Sequence, residues 1–91
     1  MHALHVLVEG RVQGVGFRWF VRQEARRLGV AGWVRNLPDG SVELTVGGEM
    51  AAARRLIEYA RVGPESADVR DVRVVEVQLP DQLPYPFSVL K

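Results

Sequence analysis

Ninety-one residues suffice for one domain with a single core and are too few for two. Apolar residues make up 47% of the chain and charged residues 25%, which excludes a disordered polymer. A formal net charge of +1 supplies no global field for nucleic acid or an anionic membrane. The absence of cysteine excludes disulfides, thiolate nucleophiles and cysteine-ligated metals. No apolar run is long enough to span a bilayer and no signal-peptide core follows Met1, so the expected location is cytoplasmic. The basic residues are eleven arginines and one lysine, Lys91, a bias read as codon or lineage usage.

In chain order, Ala3 to Glu9 is β-branched and apolar, is bounded by Gly10, and predicts a buried strand. Gly10 to Gly16 is a loop with three glycines. Beyond it Phe17, Phe20, Val21, Ala25 and Leu28 recur with helical spacing between arginines, so an amphipathic helix is expected, ended by Gly29. Val30 to Asn36 and the alternating Val42, Leu44 and Val46 predict two strands. The turn Leu37-Pro38-Asp39-Gly40 joins them as a hairpin. Gly47-Gly48 ends the second of these, and Glu49 opens a helix through Arg61 with the stripe Met50, Ala53, Leu56, Ile57 and Ala60. Gly63-Pro64 stops it. Val69 to Gln78 predicts a fourth strand whose alternation slips at Val74-Val75, the signature of a bulge. Residues 80–86 read as loop and Phe87 to Leu90 as a short last strand.

The order β-α-β-β-α-β predicts an α+β, ferredoxin-like sandwich: an antiparallel sheet of four to five strands with both helices on one face. Residues 1–91 form one domain on this reading, and the fold leaves function to be argued from the site.

The glycine-rich loop carries the first chemical signal. A helix N-terminus has unpaired N–H groups and partial positive charge, so acidic residues are favoured there. Here the first turn instead holds Arg18. Exposed N–H groups along Gly10 to Gly16 can form an anion nest over which Arg18 closes; a tight turn with a surface arginine fits the same residues equally well. The stretch is not a Walker A loop, lacking the Lys-Ser/Thr pair, nor a dinucleotide fingerprint, since Trp19 stands where a third glycine belongs. Asn36 ends a strand before a turn, where it can bond the backbone or hold a water molecule beside the nest.

Together these stretches resemble the acylphosphatase family. Val8-x-Gly10-x-Val12-Gln13-Gly14-Val15-x-Phe17-Arg18 matches that family's first signature. Gly32-Trp33-Val34-Arg35-Asn36, followed by Gly40, Val42 and Gly47-Gly48, matches the second. The similarity extends over essentially the whole chain, including Gly63-Pro64 after the second helix. It implies metal-independent hydrolysis of an acyl phosphate to a carboxylate and inorganic phosphate, with no cofactor. By this resemblance the backbone of Gly10, Arg11, Val12, Gln13, Gly14, Val15 and Gly16 cradles the phosphoryl oxygens. Arg18 binds the phosphate, and Asn36 positions the attacking water. The implied partners are a small acyl phosphate and inorganic phosphate as product and inhibitor; a monomer without nucleic-acid or membrane partners is expected.

The remaining candidates carry weaker signals. His2 and His5 point to opposite faces of a strand and make poor joint metal ligands. Trp19 and Trp33 are read as packing residues that can border the pocket, Glu9 as a neighbour of the loop, and Arg22, Arg26 and Arg27 as a solvated basic face able to steer anions. A non-enzymatic binding module is the alternative class. An RNA-recognition sheet, however, needs stacking aromatics that residues 3–9 and 41–46 lack. A further alternative is a domain acting on carbamoyl phosphate, as in long hydrogenase-maturation proteins that resemble this family at their N-termini. The chain's end at Lys91 favours the free-standing enzyme.

Overall fold

A computed structural model describes residues 2–79 and 81–91. Met1 and Pro80, the latter the first residue of the loop expected over 80–86, lie outside the described residues. The elements are β1 (His2–Arg11), α1 (Phe17–Leu28), β2 (Ala31–Asn36), β3 (Val42–Gly47), α2 (Met50–Val62), β4 (Asp68–Gln78) and β5 (Ser88–Val89). The expected ferredoxin-like α+β order is observed, and the sheet runs β4-β1-β3-β2-β5.

One sheet face carries the core because alternate side chains of a strand share a face. Leu4, Val6 and Val8 of β1, Val42, Leu44 and Val46 of β3, and Val34 of β2 are fully buried. Against them α1 lays Phe17, Val21 and Ala25, and α2 lays Ala53, Leu56, Ile57 and Ala60. On the opposite face of β3, Glu43 and Thr45 are also buried, flanked by His5 on β1 and by Trp33 and Arg35 on β2. Burial pushes the Glu43 carboxyl up, but hydrogen bonds and charge from His5 (2.9 Å) and Arg35 outweigh it and hold the group below the usual carboxylate range.

Three expectations are corrected. The first strand does not stop at Gly10; it continues through Arg11, paired with β4 at Val69 and Asp68. Only glycine fits at position 10, because φ is 129° and a Cβ there would lie 2.1 Å from the Asp68 carbonyl oxygen. The bulge is not at Val74-Val75, where Val6 and His5 pair in unbroken register, but opposite Glu9 and Gly10, which face Asp71 and Val69 and leave Arg70 as the extra residue. The three-residue step from Val69 to Val72 is the slip. Val74 then packs on the core, while Val75 is 56% exposed on the other face.

Finally, the sheet is mixed rather than wholly antiparallel, since β5 pairs with β2 in parallel at Trp33–Ser88 and Val34–Val89. The path of the chain requires this. β4 ends beside His2, at the end of the sheet where β2 begins, so the chain crosses there and rises alongside β2. Gly32 N–H donates to the Pro84 carbonyl (2.8 Å) and Leu90 N–H to the Val34 carbonyl (2.8 Å), fastening the segment at both ends, and Phe87 is fully buried between.

Candidate active site

The site forms where β1 and β2 both end. β1 leads into the loop 12–16, α1 turns back from that loop, and β2 delivers Asn36 to the same end of the sheet. The loop is held there by Gln13, whose Nε2 donates to the carbonyls of Leu37 and Ser41, both at 2.8 Å. That double bond spans the β2–β3 turn and ties the loop to the strand that carries Asn36. Asp39 accepts from Ser41 N–H (2.9 Å) and from the Ser41 hydroxyl (2.5 Å) within the turn; these bonds lower the Asp39 pKa.

The helix begins without a side-chain cap. Its N-cap is Gly16 in the left-handed region (φ 78°, ψ 18°), a conformation that costs any residue with a Cβ. The first turn contains no acid. The first intrahelical bond is Phe20 N–H to Gly16 carbonyl at 3.0 Å, so the amides of Phe17, Arg18 and Trp19 precede the helical ladder. These donors and the helix dipole favour an anion.

A cleft of about 550 Å³ opens beside this turn, lined by Gly14, Gly16, Arg18, Trp19 and Asn36 among others. Its lining contains three arginines of α1, Arg18, Arg22 and Arg26, and no carboxylate. Two of the three are anchored by the residues that flank β5. Arg18 Nη1 lies 3.4 Å from the Leu90 carbonyl oxygen, and Arg26 Nε donates to the Phe87 carbonyl at 2.9 Å. The Asn36 side chain lies on the core-side face of β2, two residues beyond buried Val34. Its Oδ1 is buried and has no hydrogen-bond partner among the described residues. A buried acceptor left open at the wall of a cleft is suited to a donor brought by a ligand or water.

Several expected residues stand elsewhere. Gly10 and Arg11 belong to the β1–β4 ladder and do not line the cleft. Val12 and Gly14 do, while the Gln13 side chain serves the tether. Glu9 faces Arg73 (3.7 Å), and Trp33 lies on the far side of the sheet with His5 and Arg35. Arg27 leaves the basic face for Glu24 (2.6 Å) and the Tyr59 ring. The contribution of β5 has no sequence signal, because residues 88 and 89 are unremarkable and their position depends on the parallel pairing. Among the described residues no cluster of His, Asp or Glu is placed to hold a metal, and no helix is long and apolar enough to cross a membrane.

Comparison with known proteins accords with this geometry. Residues 4–88 match the acylphosphatase family. The acylphosphatase of Gloeobacter violaceus is 53% identical over 87 residues, covering 96% of this chain and 91% of the relative. That of Bifidobacterium longum is 47% identical over 85 residues, covering 93% and 88%. The crystal structure of the Bacillus subtilis acylphosphatase superposes with a TM-score of 0.92 at 37% identity, with both chains fully covered.

Proposed function

The chain belongs to the acylphosphatase family and is an acylphosphatase enzyme, and from that premise we propose that the cleft at the start of α1 is its catalytic site, with Arg18 and the amides of the glycine-rich loop holding the phosphoryl group and Asn36 holding the water. The observation that carries this reading is the bare helix start. Gly16 provides no side-chain cap, the first turn holds no acid, and Arg18 adds positive charge where the dipole is already positive. A dianionic phosphoryl group satisfies all three at once.

The reaction follows from what these groups can do. The oxygen of a water molecule bonds to phosphorus and the bond from phosphorus to the acyl oxygen breaks. The electron pair leaves on the carboxylate, and the protons of the water pass to the phosphate and to solvent. A carboxylate is a weak base and leaves without a general acid, so the barrier is lowered chiefly by positioning and by fixed charge. Arg18 and the loop amides stabilise the equatorial oxygens. The open Asn36 Oδ1 accepts a hydrogen bond from the water, which leaves a lone pair of the water oxygen directed at phosphorus. The Gln13 side chain has no contact with substrate on this reading; it keeps the loop and Asn36 at a fixed separation. The reaction needs no cofactor, and a small acyl phosphate is the only partner required.

Hydrolysis of benzoyl phosphate with and without a chelator tests the proposal. Turnover is expected to be indifferent to the chelator and competitively inhibited by inorganic phosphate. Turnover abolished by the chelator, or phosphate that fails to compete, would overturn the assignment.

A further inference from the structure

The cleft is much larger than a phosphoryl group, and its lining includes Trp19 and Arg22. Trp19 is 61% exposed, an unusual state for the largest apolar side chain on a helix whose other aromatics, Phe17 and Phe20, reach the core. The Arg22 guanidinium lies 4.4 Å from the centre of the Trp19 ring. Arg22 is half-buried, yet no hydrogen bond or ion pair engages it among the described residues. Its neighbours one turn to either side, Arg18 and Arg26, contact the carbonyls of Leu90 and Phe87 on either side of β5. Arg22 is held by its stacking, with its donors directed at no protein acceptor, in a cleft without a carboxylate.

Arg22 follows Arg18 by four residues, so it stands on the same helix face about 6 Å further along the axis. With the phosphoryl group at Arg18, Trp19 and Arg22 line the part of the same cleft further along α1, where an acyl group has room. We propose that Trp19 and Arg22 form a second subsite that selects acyl phosphates whose acyl group bears its own anionic substituent, the guanidinium pairing with that anion and the indole covering the carbon chain between. This rests on the reading of the cleft as an acyl phosphate site and goes beyond it in naming which acyl phosphates the cleft prefers. Arg22 sits too far from the phosphoryl position to act in the chemical step. It is a specificity residue and acts through KM.

The test compares benzoyl phosphate with 3-carboxybenzoyl phosphate and its neutral methyl ester. The last two differ in charge at one ring position, and each releases a meta-substituted benzoate. The wild-type protein is expected to show kcat/KM about tenfold or more higher for the carboxylate than for the ester, mostly in KM, since a hydrogen bond between charged groups at a part-buried site is worth about that factor. The preference is expected to shrink as salt is raised. In Arg22→Gln the ratio of carboxylate to ester should fall to about one, and Arg22→Lys should retain part of it. A ratio near one in the wild-type protein, or one that Arg22→Gln leaves in place, would overturn the subsite while leaving the acylphosphatase site standing. Failure to hydrolyse benzoyl phosphate itself would instead overturn the catalytic reading, and the subsite with it.

Discussion

The two helices begin in opposite ways. At α2 the N-cap is Glu49 in an extended conformation, and its carboxylate accepts from Ala52 N–H (2.9 Å) and Ala51 N–H (3.3 Å), closing the helix with the protein's own anion. At α1 the N-cap is left-handed Gly16, no side chain caps it, and Arg18 occupies the first turn. Both ends have the same unpaired donors and the same dipole. One satisfies them with its own carboxylate, and the other leaves them without a side-chain partner at the proposed phosphoryl site. A helix start that is locally worse than its neighbour in the same domain is the feature on which the proposed phosphoryl site rests.

The largest effect that tests this contrast is Arg18→Gln. Transition-state charge stabilisation of this kind is worth on the order of 3 kcal/mol, so kcat/KM for benzoyl phosphate should fall by roughly 100- to 1,000-fold. Denaturant unfolding should move by less than about 1 kcal/mol, because Arg18 makes one long hydrogen bond. Wild-type turnover in the variant would remove the distinction between the two helix starts.

Asn36→Ala should lower kcat by roughly 100-fold through loss of water alignment, with phosphate still a competitive inhibitor. If phosphate binding is lost and kcat kept, Asn36 belongs to the phosphate cradle instead.

Phosphate itself should act as the missing cap. At a hundredfold excess over its dissociation constant it should stabilise the protein by about 2.7 kcal/mol, a rise in Tm of roughly 10–20 °C for a domain of this size. Arg18→Gln should abolish most of that rise, and a calorimetric scan of the two proteins measures it.

The smallest effect belongs to the other end of the comparison. Glu49→Ala should cost about 1 kcal/mol of stability, as loss of a cap does, with kcat and KM unchanged since Glu49 lies outside the cleft. An activity loss there, without a matching loss of fold, would mean that α2 takes part in the site.

Much of this was legible in the chain. The helical spacing of Phe17, Val21 and Ala25, and the alternation of Val42, Leu44 and Val46, place the core-facing residues directly, because the periods of helix and strand are properties of local backbone geometry. The glycine-rich loop and Asn36 stand out for the same reason, as residue types that ordinary helix and strand positions do not favour. Val74-Val75 interrupts the alternation visibly, so the pattern alone points to a bulge there that the structure does not have. The actual slip, at Arg70, is set by the partner strand, where Gly10 meets the Asp68 carbonyl. Arg22 and Arg27 are indistinguishable as letters on a basic helix. Packing alone sends one to Trp19 in the cleft and the other to Glu24 and Tyr59.

The sequence by itself determined the elements, their order and the unusual helix start, since propensity, spacing and capping act over a few residues. Only the tertiary structure decided that β5 runs parallel beside β2, that the flanking carbonyls of Leu90 and Phe87 anchor Arg18 and Arg26, and that Gln13 ties the loop to the turn after Asn36. Those contacts join residues 24 to 72 positions apart in the chain. No local preference encodes them; the contacts of Arg18 and Arg26 follow from where the crossing of the chain from β4 to β2 leaves its last residues, and that of Gln13 from the pairing of β3 with both β1 and β2.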